Sequence, residues 1–341
     1  MKSDSNILQS IIPDASDLPA KILDMVKKPD DQTKKYKKIE KITQKNVNLT
    51  ILRSPTQKEV SLLQKTYPIH ELHADDIISS VQRPKIDLEE EYIFFVFHLP
   101  RFNTQTNRIE SSEIDAILTK DDVVLILNDP FLMIEEFIDT NLRGGTMQEK
   151  FFSKGSGFLL YQIIDGLVDT IFPLIEQIEN TLEEIDKEVF SKTARFVIKK
   201  ISLVRRNVIY FQTIVKPELN AFKNFEETAH PFLTKNLKNY FRNITDHFKR
   251  LYDRLEDAKE LTDNLSLTFE SYLSFRTNET IKYLTVFSAI LLPLTLLTGI
   301  YGMNLKFLPF AGHPDAFFLI GLVMAAIVVP MLAFFRYKHL I

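Results

Sequence analysis

Read from Ile281 in alternating steps of four and three, the chain gives Thr285, Ser288, Leu292, Thr295, Gly299 and Gly302. A seven-residue repeat of this kind keeps to one face of a helix. Four of the five positions from Thr285 to Gly299 are hydroxyl-bearing residues or glycine, while the other faces carry Leu, Ile, Val and Phe. The run closes on Tyr301-Gly302-Met303-Asn304. An asparagine at a helix end offers an amide oxygen that can accept hydrogen bonds from the water shell of a cation. Mg²⁺ gives up its water reluctantly, so a wall of hydroxyls and carbonyls can handle it hydrated. A carboxylate ring would bind a dication too firmly for rapid exit. No chemical drive is needed, because two charges moving down 100 mV release about 4.6 kcal/mol.

The elements that must position these residues are apolar. Leu284 to Ile300 contains only apolar and hydroxyl-bearing residues, proline and glycine, and a second apolar block runs from Ala316 to Phe335. Both approach the ~20 residues needed to cross a bilayer. Arg276 and Lys282 precede the first block, and Arg336, Lys338 and His339 follow the second. Excess Lys and Arg marks the cytoplasmic side, so both ends are expected inside and only Leu305 to Asp315 outside. A hydroxyl stripe is wasted against lipid. It fits close packing of helices through small residues, or a pore wall built from several copies of this helix. Two spans cannot enclose a pore, so the second arrangement requires a homo-oligomer.

Upstream, breakers are scarce. From Phe232 to Leu292, 61 residues contain neither Gly nor Pro. As one helix this stretch extends roughly 90 Å, which predicts a long helix entering the membrane at its C-terminal end. Tyr92 to Phe97 is a buried-strand run, and Glu113–Leu118 and Val123–Leu127 flank a hairpin turn at Lys120-Asp121-Asp122. Asp75 to Val81 is expected in a short helix. From Phe158 to Phe190 the apolar spacing is helical. Its acidic tail faces a basic segment, Ala194 to Arg206, which predicts an antiparallel helical hairpin; a cation-attracting acidic band is the alternative. Pro217 and Pro231 are expected to punctuate the next turn.

The expected class is an α+β membrane protein. Its parts are a polar leader (1–45), a cytoplasmic α/β domain (46–150), a helical hairpin region (151–228), a stalk helix (229–282), a first span (283–302), an external loop (303–315), a second span (316–335) and a basic tail (336–341).

Composition sets limits. Hydrophobic residues are 45% and charged residues 26%, an average that hides the charge-poor last 60 residues. A formal net charge of -3 gives no basic excess for nucleic acid, and with no cysteine there is no disulfide framework or thiolate metal site. A cleaved signal is not expected, because Pro13 and Pro19 break the first residues. No nucleophile–base set appears, and Lys154-Gly-Ser-Gly157 is not a phosphate loop. His70-Glu-Leu-His73 with Asp75 and Asp76 lacks the usual zinc spacing and reads as surface or satisfied polar residues.

Gly302-Met303-Asn304, after a long helix and before a short loop and a second span, resembles the CorA family of divalent-cation channels. The resemblance extends over Thr277-Asn-Glu279, Leu284-Thr285, Leu292-Pro-Leu-Thr295 and Gly299-Ile300, and upstream over Gln82-Arg-Pro-Lys85 and Tyr92 to Val96. It implies a funnel-shaped homopentamer in a bacterial inner membrane that passes Mg²⁺, with Co²⁺ or Ni²⁺ as secondary ions. Asn304 then supplies a ring of five amide oxygens for hydrated Mg²⁺, positioned by Gly302 and Met303. Thr295 is a second hydrated-ion site, Ile281, Leu284 and Leu292 are hydrophobic constrictions, and Asn278 is a polar ring. Thr285, Ser288 and Gly299 complete the implied pore lining. The family's acidic outer loop is replaced here by Leu305-Lys-Phe-Leu-Pro-Phe310, with Asp315 its only acid. Positions implied for regulatory carboxylates fall on Arg101-Phe-Asn103 and near Leu267, none of them acidic, and leave Asp263 or Glu270 as substitutes. The rivals are a CorA-like zinc or efflux transporter and a non-conducting coiled-coil scaffold.

Overall fold

The computed structural model describes residues 36–79, 82–103, 106–128, 132–190, 193–228, 235–303, 309 and 314–340. These fall into two compact units, residues 1–266 and 267–341.

The first unit is built on a six-stranded sheet of order β1-β2-β6-β5-β4-β3. Its strands are β1 (Ile39–Gln44), β2 (Val47–Arg53), β3 (Lys85–Leu88), β4 (Ile93–Asn103), β5 (Arg108–Leu118) and β6 (Asp122–Leu127). β2 and β6 run parallel, and every other pair is antiparallel. The apolar Ile93-Phe-Phe-Val-Phe97 segment is buried on both faces, as an unbroken apolar run in a central strand should be. The turn into β6 is closed by Thr119, whose N–H donates to the Asp122 carbonyl at 2.9 Å and whose hydroxyl accepts from the Asp122 N–H at 3.0 Å. β1 lies inside the segment expected to be leader. Its exposed, half-polar residues are what an edge strand presents to water, and composition alone reads them as loop.

One face of the sheet is covered by α1 (Gln57–Thr66) and α2 (Glu71–Ile78). Val60, Leu63 and Ile77 pack there on Leu52, Phe94, Val96, Ile117, Val124 and Ile126. The helix expected from Asp75 thus starts earlier, with His70 as its N-cap; Val81 lies outside the described residues. The chain continues through α3 (Leu132–Asn141), α4 (Gly145–Phe151), α5 (Ser156–Asp169), α6 (Phe172–Glu188), α7 (Ala194–Glu227) and α8 (Lys235–Tyr301). Phe95, on the second face of the sheet, meets Phe225 of α7 and Phe241 of α8 at ring-centroid distances of 5.4 and 6.0 Å.

Two helical expectations change. The stretch from Phe158 to Phe190 is two helices, because the chain breaks at Thr170-Ile171 and Pro173 opens α6. Pro217 makes no turn and lies inside α7. Its ring frees the carbonyl of Thr213, a residue on the exposed side of the helix, where water can satisfy it. Pro231 lies outside the described residues. Lys200 of α7 is held by Glu184 at 2.9 Å and Glu188 at 3.5 Å of α6, and Arg254 of α8 pairs with Glu179 of α6.

The second unit holds the C-terminal part of α8 and α9 (Ala316–Tyr337). α8 is 67 residues long and runs past residue 282 without interruption, with Pro293 inside it.

Candidate functional site

Every stripe position from Ile281 to Gly302 is exposed in the chain: Ile281, Thr285, Ser288, Leu292, Thr295, Gly299 and Gly302. Leu292 reaches 71% exposure. The covered face of the same helix is a different one, made of Lys282, Val286, Ala289, Ile290, Pro293, Leu297 and Tyr301. On α9 the partly covered residues repeat in the same way: Ala316, Ile320, Met324, Ile327, Val328, Met331 and Phe335. Both of these partly covered faces lie in the same unit. At one end of the pair, Lys282 Nζ donates to the His339 carbonyl at 2.8 Å. The stripe lies on the bare side of α8, with Leu284, Phe287, Leu291, Leu296 and Ile300 also bare.

The stripe hydroxyls are already engaged on one side. Thr285 Oγ1 donates to the Ile281 carbonyl at 2.8 Å, Thr295 Oγ1 to Leu291 at 2.9 Å, and Thr298 Oγ1 to the Thr295 carbonyl at 3.0 Å. Back-bonding of this kind satisfies the hydroxyl proton where water is scarce. Their oxygens remain free to accept. At the helix end the Gly302 N–H donates to Thr298 at 2.8 Å and the Met303 N–H to Ile300 at 3.2 Å. A Cβ on Gly302 would sit 3.1 Å from the Thr298 carbonyl oxygen, tighter than most side chains show, so the helix end would have to give by a few tenths of an ångström to admit one. Gly299 has open space beside it. Met303 and Asn278 are exposed. Asn304, Lys306 and Phe310 lie outside the described residues.

Among the described residues three helical stretches are long and apolar enough to cross a membrane. Ser156–Glu188 is 56% buried over its apolar window inside the first unit, whereas the windows in Asn236–Tyr301 and Ala316–Tyr337 are 6% and 0% buried. Burial separates a core element from two helices whose apolar surface still has to be covered.

The candidate regulatory acids do not converge. Asp263 is paired with Arg205 at 2.8 Å, and Glu270 is exposed. Among the described residues no group of three or more His, Asp or Glu side chains is arranged to hold a metal ion. His70 caps α2 by accepting the Leu72 N–H, and buried His73 lies between the Tyr92 hydroxyl at 2.7 Å and Asp87 at 3.2 Å.

Two polar clusters were missed in the sequence. In one, Asn243 of α8 donates to Asp165 of α5 at 2.9 Å, the Tyr161 hydroxyl donates to the same carboxylate, and His247 lies 3.6 Å from Asp169. Burial and then the nearby Asp165 push the Tyr161 hydroxyl up to about 12, and the same two causes raise Asp169. The i, i+4 spacings Asp165/Asp169 and Asn243/His247 were the available signal. The other surrounds His98, Glu113, Asp115 and Glu218, which no local spacing brings together.

The chain matches the family described as CorA-like Mg2+ transporter protein over residues 47–338. It is 29% identical over 275 residues to the cobalt/magnesium transport protein CorA of Thermotoga maritima, covering 80% of this chain and 77% of the relative. It is 23% identical over 268 residues to the zinc transport protein ZntB of Yersinia pseudotuberculosis, covering 78% and 79%. In fold it is similar to the complete structure of the CorA magnesium transporter from Methanocaldococcus jannaschii, with a TM-score of 0.74, 21% identity and coverage of 86% and 92%. A match that runs from β2 through the striped helix to the end of α9 takes in both units, and the chain belongs to the CorA-like Mg2+ transporter family.

Proposed function

We propose that this chain conducts hydrated Mg²⁺ passively down the membrane potential, with Co²⁺ or Ni²⁺ as secondary ions, through a homopentamer. The observation that carries this reading is the hydroxyl stripe, every position of which is bare on α8. In lipid that side has no use for its oxygens. Around a fivefold axis it becomes a wall that accepts hydrogen bonds from the water shell of a cation. Asn304 forms the outer ring, Gly302 and Met303 shape its support, and Thr295 is a second hydrated-ion site. Thr285, Ser288 and Gly299 line the path, with Ile281, Leu284 and Leu292 as constrictions that close by dewetting and Asn278 as a ring near the inner mouth. Two helices span the bilayer, α9 and the C-terminal part of α8, and both chain ends lie on the cytoplasmic side. The segments are those set out from the sequence, with β1 moved from the leader into the α/β domain. Asp263 and Glu270 stay as candidate regulatory acids, although Arg205 already holds the first.

The test is Mg²⁺ entry into liposomes under an inside-negative potential, read with an enclosed Mg²⁺ dye. Wild type admits Mg²⁺ and Asn304→Ala does not. A wild type that admits none overturns the reading. A second reading, zinc transport, is favoured by the ZntB relative and by Lys306 in place of loop acids. It predicts Zn²⁺ flux coupled to a pH gradient in the same liposomes.

A further inference from the structure

Around His98 the first unit buries more acid than base. His98 is 7% exposed, Glu113 9%, Asp115 1% and Glu218 0%. The Glu218 carboxyl of α7 accepts the backbone N–H of His98 at 2.5 Å, on β4 beyond the last residue paired with β3. On the neighbouring strand, Glu113 lies opposite His98, with the imidazole Nε2 3.3 Å from Oε2. The Gln82 N–H donates to that same oxygen at 2.6 Å. The Asn128 amide donates to both Glu113 and Asp115, at 3.0 and 3.1 Å. One oxygen of Asp115 and one of Glu218 are buried with no hydrogen-bond partner. Other charges facing the cluster are Asp76 of α2 and Lys85 of β3, and Lys85 is bonded to Asp76 and Asp87 at 2.8 and 2.7 Å. Among the described residues no Lys or Arg is bonded to Glu113, Asp115 or Glu218, and no charged group acts on Glu218.

We infer that the buried Glu218 carboxyl, seated on the His98 amide, is a proton-binding site that fastens α7 to the sheet when loaded and loosens it when emptied, with Asp115, beside Glu113 on the other face of the sheet, as a second buried proton site. Ionised, Glu218 has no cation bonded to it, while Glu113 and Asp115 share one imidazole neighbour at most, and each unpaired buried charge is costly. Binding a proton removes that cost, and burial alone pushes Glu218 far above the usual carboxylate range. Asp115 is raised in the same way by burial and then by Glu113 beside it. Both groups hold their protons in the folded state above the pH, about 4, at which an unfolded chain releases them. Their stabilisation is therefore complete below that pH and is lost as pH rises through the raised folded values. The site works whether or not ions pass through the protein.

The experiment is thermal unfolding of the full chain in detergent between pH 5 and 9, with hydrogen exchange followed at the His98 amide. The wild-type midpoint falls on the alkaline side by roughly 2–4 °C per pH unit for each proton released. Glu218→Gln and Asp115→Asn, neutral isosteres, each remove one proton from that slope. The His98 amide loses protection at high pH in the wild type and keeps it in Glu218→Gln. Curves that run parallel in wild type and both variants overturn the inference. If Glu218→Gln does not fold, the infrared carbonyl band of neutral carboxylic acids in the wild type at pH 7 decides. Its absence overturns the site, and its loss on alkalinisation together with α7 protection supports it.

Discussion

At the scale of single residues, threonine solves a problem that valine does not. Its hydroxyl proton is given to the carbonyl one turn back, at Ile281 for Thr285 and at Leu291 for Thr295, so no bare donor is left in an apolar setting. What remains outward is an oxygen that can only accept, the partner a cation's water shell requires. Thr295→Val keeps the volume and removes that oxygen. It should slow Mg²⁺ entry about tenfold, equivalent to ~1.4 kcal/mol, while Thr295→Ser retains most of the rate. Dye-loaded liposomes measure both. A second residue-scale prediction concerns Arg53, 5% exposed and bonded to both oxygens of Glu135 and to Glu40. Arg53→Ala strands a buried carboxylate and should cost about 3–5 kcal/mol in denaturant unfolding. The stripe was legible in the sequence because a seven-residue repeat is a local signal. The Arg53–Glu135 pair and the Glu218–His98 contact were not, since their members lie 82 and 120 residues apart and meet only when a helix packs on the sheet.

At the scale of elements, aromatic side chains join what the chain separates. Phe241 of α8, 1% exposed, touches Phe95 of β4 and Phe222 and Phe225 of α7. Phe241→Ala removes the ring shared by three elements and should cost about 3–5 kcal/mol, read as a lower urea midpoint with an unchanged slope. The central strands and the long helix were legible for a simple reason. An apolar run between turn residues, or dozens of residues without Gly or Pro, leaves few alternatives. The edge strand β1 and the break at Thr170-Ile171 were hidden. An edge strand carries little apolar pattern, and the apolar spacing continues across the break, so only the hydrogen bonds reveal it. Pro217 misled because a proline in α7 is tolerated where the freed carbonyl can reach water.

At the scale of the whole molecule, the exposed apolar surface has to be covered. Phe317, Phe318, Leu322 and Tyr337 are each more than 70% exposed on α9, a surface suited to lipid and not to water. The detergent-solubilised protein should have the native mass of five chains. A monomer by native mass spectrometry would remove the pore while leaving the family membership in place. The absence of cysteine makes topology easy to test. Phe310→Cys should react with a membrane-impermeant maleimide added outside cells, and Lys338→Cys only after permeabilisation. The Lys282–His339 hydrogen bond closes the two apolar helices into a hairpin with its polar ends together. In terms of biogenesis, such a hairpin asks little of the insertion machinery. In the proposed topology the segment carried through the bilayer is short, and Lys306 and Asp315 are its only Lys, Arg, Asp or Glu residues. In that topology every other charge stays on the side where it was made.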